Sequence, residues 1–175
     1  MDHHIIDLLD HPKVVETKSH LHHSLSKHEH LLRSARISYK LARMMRADIR
    51  TCVRAAMIHD IDSRYGTLTT HGRIAAIWAA SVGEDYAVCH AIETHMYPFG
   101  PVPRTREAWV VSLADKAASL TDLTICVTGM LTGRTWHRRR VLRASDPFYP
   151  GRQRRFRRRR QPRVRRHVGI GEELL

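Results

Sequence analysis

Cysteine is scarce in this 175-residue chain: Cys52, Cys89 and Cys126 stand alone in apolar surroundings. An odd, scattered set excludes a disulfide framework and reads as reduced thiols. Long hydrophobic runs are missing too. The longest, Ile74 to Val82, is far too short to cross a bilayer. The N-terminus, Met-Asp-His-His-Ile-Ile-Asp, lacks the basic and apolar regions of a secretory signal. These absences together predict a soluble, cytoplasmic protein without a membrane partner. Acidic residues are rare at one end: only 3 of 17 follow Gly133, whereas 15 of 30 basic residues do. The net charge of +13 is therefore a property of the tail, near +12, and the front part is close to neutral. Aromatics, 6% overall, are few in that tail (Trp136, Phe148, Tyr149, Phe156). That argues against base-specific reading of nucleic acid.

An apolar share of 42% is enough for one real core. Residues 3–25 hold one or two short helices, with a start signal at Asp10-His11-Pro12. A histidine-rich connection follows, in which His20, His22, His23 and His28 are expected to be solvated. From Lys27 to Arg46 the period is helical, with His30 near the start on one edge of the apolar stripe. Asp48 can cap a second helix whose apolar run, Cys52 to Ile58, closes on His59-Asp60. Thr69 or Thr70 opens a third helix with His71 in its first turn. Glu84 and Asp85 suit the start of a fourth, whose stripe ends at His95. Pro98, Pro101 and Pro103 interrupt the chain, and Thr105 begins a last core helix carrying Asp115 and reaching Leu120. No segment reads as a strand pair, so the expectation is an all-α bundle of about five to seven helices. It occupies residues 1–133, with its core at about 20–122. Beyond Leu131 arginine dominates, and residues 134–175 read as a disordered or loosely helical tail.

His30, His59, Asp60, His95 and Asp115 each fall at a helix end or on an apolar face, where an isolated polar group is costly. Converging from several helices, such groups build a metal site inside a bundle. His30, His59-Asp60 and Asp115, with the flanking runs Ala55-Ala56-Met57-Ile58-His59-Asp60 and Val111-Ser112-Leu113-Ala114-Asp115-Lys116, resemble the H…HD…D signature of the HD superfamily of metal-dependent phosphohydrolases. His71-Gly72-Arg73 and His95-Met96-Tyr97-Pro98 look like the extra histidine positions of members that hold two metals. The resemblance covers about residues 20–122. It implies that His30, His59, Asp60 and Asp115 hold one divalent metal, and that His71 and His95 hold a second with Asp60 bridging. It implies hydrolysis of a nucleotide or other small phosphate ester by a metal-activated water, with Asp60 helping to orient the nucleophile. Arg33 and Lys116 are candidates to hold the phosphate. Imidazole and carboxylate ligands suit Fe, Mn, Zn, Ni or Co without choosing among them. A glycine often follows His-Asp by one residue in the superfamily; Ile61-Asp62 stands here.

A different class of function is a metal-stabilised scaffold whose arginine tail binds nucleic acid or an acidic surface non-specifically. Arginine-rich tails also arise from out-of-frame reading of GC-rich codons. The sequence leaves the substrate and the oligomeric state open.

Overall fold

A computed structural model describes residues 1–147 and residue 149. Among them are eight α-helices and one two-stranded hairpin: α1 (Ile6–Leu9), α2 (Pro12–Glu16), β1 (Leu21–His22), β2 (Leu25–Ser26), α3 (Lys27–Met45), α4 (Ile49–Ile58), α5 (His71–Ser81), α6 (Tyr86–Thr94), α7 (Arg106–Leu131) and α8 (Trp136–Ser145). The fold is all-α, as its periodicity implies.

The starts of the main helices are written in capping residues. Ser26 and Glu29 form a reciprocal capping box at α3: the Glu29 amide donates to Ser26 Oγ, and the Ser26 amide donates to the Glu29 carboxylate. Asp48 accepts from the Thr51 amide, Asp85 from Val88 and Thr105 from Ala108. Thr70 precedes α5. Each cap fixes where a helix begins, and hence which side chains its first and last turns present to the interior.

Helix α4 is the axle of the bundle. Every residue from Thr51 to Ile58 is buried, against α3, α6 and α7. Its Arg54 is the one charge along this buried stretch, held by Asp7 and Glu84 and by the carbonyl of His4. These contacts tie the N-terminal segment and the α5–α6 connection to the central helix. Because α4 is buried to its end, the residues that follow it, His59 and Asp60, are delivered into the interior.

Three expectations are revised. Leu21↔Ser26 and His22↔Leu25 pair as a short antiparallel ladder in the histidine-rich connection, turning through His23 at φ 54°. Two residues per strand leave no periodicity to read. Helix α7 continues eleven residues past Leu120 to Leu131, because no proline or glycine interrupts it before Gly129. The arginine-rich stretch begins as a helix, α8, with the following Asp146 accepting from the Leu21 amide at 3.0 Å. The expectation of disorder for 150–175 lies outside the described residues.

Candidate metal centre

Four histidines arrive from four segments. His30 is in the first turn of α3 and His59 follows α4. His71 opens α5, and His95 follows α6. His30, His59 and His95 are each 1% exposed, and His71 is buried as well. Their Nδ1 atoms point outward to acceptors. His59 Nδ1 lies 2.9 Å from the Ala56 carbonyl, His71 Nδ1 2.9 Å from Thr67 and His95 Nδ1 2.6 Å from Ile92. A carbonyl cannot donate, so in all three the proton sits on Nδ1. His30 Nδ1 lies 2.7 Å from the carboxylate of Asp122. All four rings therefore turn Nε2 inward, the orientation that metal-ligating histidines take when their other nitrogen is anchored.

The inward atoms meet two carboxylates. Asp115 Oδ1 is 3.2 Å from His30 Nε2 and 3.3 Å from His59 Nε2. Asp60 Oδ1 is 3.4 Å from His71 Nε2, and His71 Nε2 is 3.1 Å from His95 Nε2. Nitrogens whose protons point away can meet carboxylates, or one another, only as imidazolium or across a cation. Ligands held about 2.1 Å from one ion lie roughly 3.0–3.4 Å apart, which is the spacing found. The donor set therefore fits a divalent cation. Among the described residues three groups of three close within 4.8 Å: His30–His59–Asp115 and His59–Asp60–His95, which share His59, and His22–His30–Asp122 behind His30. Asp60 thus lies with His95 and His71, while Asp115 serves the His30 side.

Charge follows the same layout. Burial alone would raise the Asp60 carboxyl, but the Lys27 ammonium and the facing His59, His95 and His71 overcome it and hold Asp60 well below its ordinary value. Burial likewise opposes ionisation of Asp115, and contacts with His30 and His59 hold it low. His95 is pushed down to about 4, mainly by burial and then by repulsion from His59, so it is neutral at pH 7 and free to be a ligand.

Arg33 and Lys116 are not placed as expected. The Arg33 guanidinium forms an ion pair with Asp122, behind His30. Lys116 Nζ donates to the His95 carbonyl at 3.0 Å and to Ser112 Oγ at 2.9 Å, locking the segment that presents His95. Neither lines the cavity of about 390 Å³ that opens over Asp60, His71, His95 and Asp115. Lys27 does line it. Its Nζ is 3.3 Å from Asp60 Oδ2 and also donates to Ser63 Oγ. Its place three residues before His30, on the same helix face, was the signal available in the sequence. His22, expected to be solvated, also lines the cavity: it is half-buried, its ring centroid lies 4.4 Å from that of His30, and burial with repulsion from His30 pushes it down to about 3. Asp122, fully buried, lies beyond Leu120, where the expected helix stopped, and was not singled out. At position 62 the backbone is left-handed, φ 58°, a conformation that glycine adopts without strain. Asp62 adopts it here with its carboxylate on Lys13.

The family model for the HD domain matches residues 28–120, more than half the chain. The protein therefore belongs to the HD superfamily, whose domains are of the metal-dependent phosphohydrolase type. No curated protein and no solved structure matches it. Among the described residues no helix is long and apolar enough to cross a membrane.

Proposed function

We propose that the protein hydrolyses a phosphate ester of a nucleotide or another small phosphorylated molecule. The observation that carries this reading is the inward convergence of four Nε2 atoms and two carboxylates under an open cavity, with every histidine anchored through Nδ1. His30, His59 and Asp115 would hold one divalent ion, and Asp60, His71 and His95 would hold the other side of the site. Fe, Mn, Zn, Ni and Co all suit these donors. When bound, such an ion lowers the pKa of water and neutralises charge on phosphoryl oxygens.

The chain's own groups supply the rest. Lys27, at the cavity wall, gives a positive charge for a non-bridging phosphoryl oxygen, the part earlier expected of Arg33 and Lys116. Binding phosphate there loosens the Lys27–Asp60 contact and leaves Asp60 to orient the attacking oxygen. Asp122 holds His30 in its tautomer, and Lys116 holds the carbonyl of His95. Purified protein should carry stoichiometric transition metal and cleave p-nitrophenyl phosphate or its bis ester. Asp60→Ala should lose both. Full activity in that variant would remove the site from consideration.

A second reading concerns α8. Arg140 and Arg143 are exposed on it, while Arg138 is paired with Glu29. With the arginines of 150–175 they favour non-specific contact with nucleic-acid phosphates. Affinity falling steeply with salt, and lost on truncation after 133, is its signature.

A further inference from the structure

Helix α7 has two faces of unlike chemistry. Asp115, Ala118, Asp122 and Cys126 face the bundle and the metal centre. The opposite face carries Trp109, Leu113, Leu120, Leu123, Val127 and Met130, all exposed. They recur at alternating spacings of three and four once Lys116 is counted, the seam of a paired helix and not the scatter of a solvated one. Leu120 is 67% exposed and Leu131, at the end of the stripe, 83%. Between them stand Ala117, Thr121, Thr124 and Thr128. Over more than twenty residues the face itself contributes one charge, Lys116, whose ammonium is turned onto the His95 carbonyl; at its C-terminal end Arg139 of α8 reaches Met130 Sδ at 3.2 Å. The apolar surface left open is on the order of 600 Å², at the upper end of what a monomer tolerates and close to one side of a standard interface.

We propose that this face pairs with the same face of a second copy, α7 against α7, antiparallel about a two-fold axis at Leu120. The stripe is self-complementary in that register. Leu120 meets Leu120 of the second copy, Leu113 meets Val127, Trp109 meets Leu131, and Leu123 meets Ala117. Lys116 lies opposite Thr124, whereas a parallel pairing would set Lys116 against Lys116. Antiparallel packing also opposes the helix dipoles favourably. The seam is about 33 Å long, and its 3.5-residue period suits a shallow crossing of about 20°. The chain's own remaining segment is a poor occupant. Residues 150–175 include ten arginines, and a stripe without a carboxylate offers guanidinium groups no ion pair. The pairing leaves the metal centre, on the inner face of α7, open in each copy.

Sedimentation of the full chain tests this. At about 100 µM, above the micromolar Kd such an interface supplies, the expected species is a dimer of the 20.3 kDa chain. Leu120→Arg and Leu123→Glu, both at exposed positions, should each weaken it by about 100-fold or more with helical circular dichroism unchanged. A mixture of Leu113→Cys and Val127→Cys proteins should form a mixed disulfide-linked dimer that neither forms alone. A monomeric full chain overturns the proposal. If removing 150–175 then releases a dimer, the face belongs to the tail. A dimer indifferent to Leu120→Arg overturns it as well, and self-linking of Leu113→Cys overturns the antiparallel register.

Discussion

Each histidine of the centre has two nitrogens, and the outer one decides what the inner one can do. Asp122 is the clearest case. Its carboxylate fixes His30 through Nδ1 and is itself held by Arg33, so Asp122→Asn should leave the fold intact while loosening the ring. We expect metal affinity, read by competition with a chelating dye, to fall about 10- to 100-fold; unchanged affinity would make Asp122 a structural group only. Lys27→Met should raise KM for a phosphate ester more than it lowers kcat, with metal content unchanged. The His-Asp pair, His30 and Asp115 were legible in the sequence because polar residues at the ends of apolar stripes are costly. Lys27, His22 and Asp122 were not singled out. The spacing of Lys27 from His30 was there to read, but a lysine at a helix start, a histidine among histidines and an aspartate among neutral α7 residues cost nothing until the fold buries them. Arg33 was misread for the same reason: an arginine on the His30 face can turn to substrate or to a buried aspartate, and Asp122 lies 89 positions away.

Helices carry these residues to one place only if they approach closely enough. At the α5–α6 crossing a Cβ on Gly72 would lie 2.9 Å from the Glu93 carbonyl and 3.3 Å from His95 Cε1. Gly72→Ala must therefore push α5 off α6, moving His71 and His95 apart. The expected cost is about 1–3 kcal/mol in denaturant unfolding, with a larger proportional loss of metal binding. In α4 the load falls on Arg54. Arg54→Ala strands Glu84 beneath the surface and frees the N-terminal segment, and should destabilise by about 3 kcal/mol; a shift below 0.5 kcal/mol would show that the pairing is superficial. Helix starts were readable because Asp48, Asp85 and Thr105 are chemical signals local to the chain. The end of α7 was not, because a helix that keeps a neutral outer face shows no break where its buried stripe changes partners.

Across the whole molecule, neutral buried histidines make stability depend on pH. His95 titrates near 4 in the fold and near 6.5 when unfolded, so the unfolded chain binds more protons between those values. The contribution is complete above about pH 6.5 and is lost as pH falls toward 4, with His22 extending the loss toward about 3. In metal-free protein the melting temperature should therefore drop progressively from pH 6.5 to 4, and bound metal should oppose that drop. A melting temperature flat across this range would mean that neither histidine is held neutral. A cation between these side chains would hold the whole site together. Anomalous diffraction from crystals grown with Mn²⁺ or Zn²⁺, collected at the metal's absorption edge, addresses it directly. The expected peak lies within about 2.3 Å of His59 Nε2 and of a carboxylate oxygen of Asp115 or Asp60. The contrary result is no peak there at saturating metal, with His59 and His71 Nε2 still packed against the Asp115 and Asp60 carboxylates.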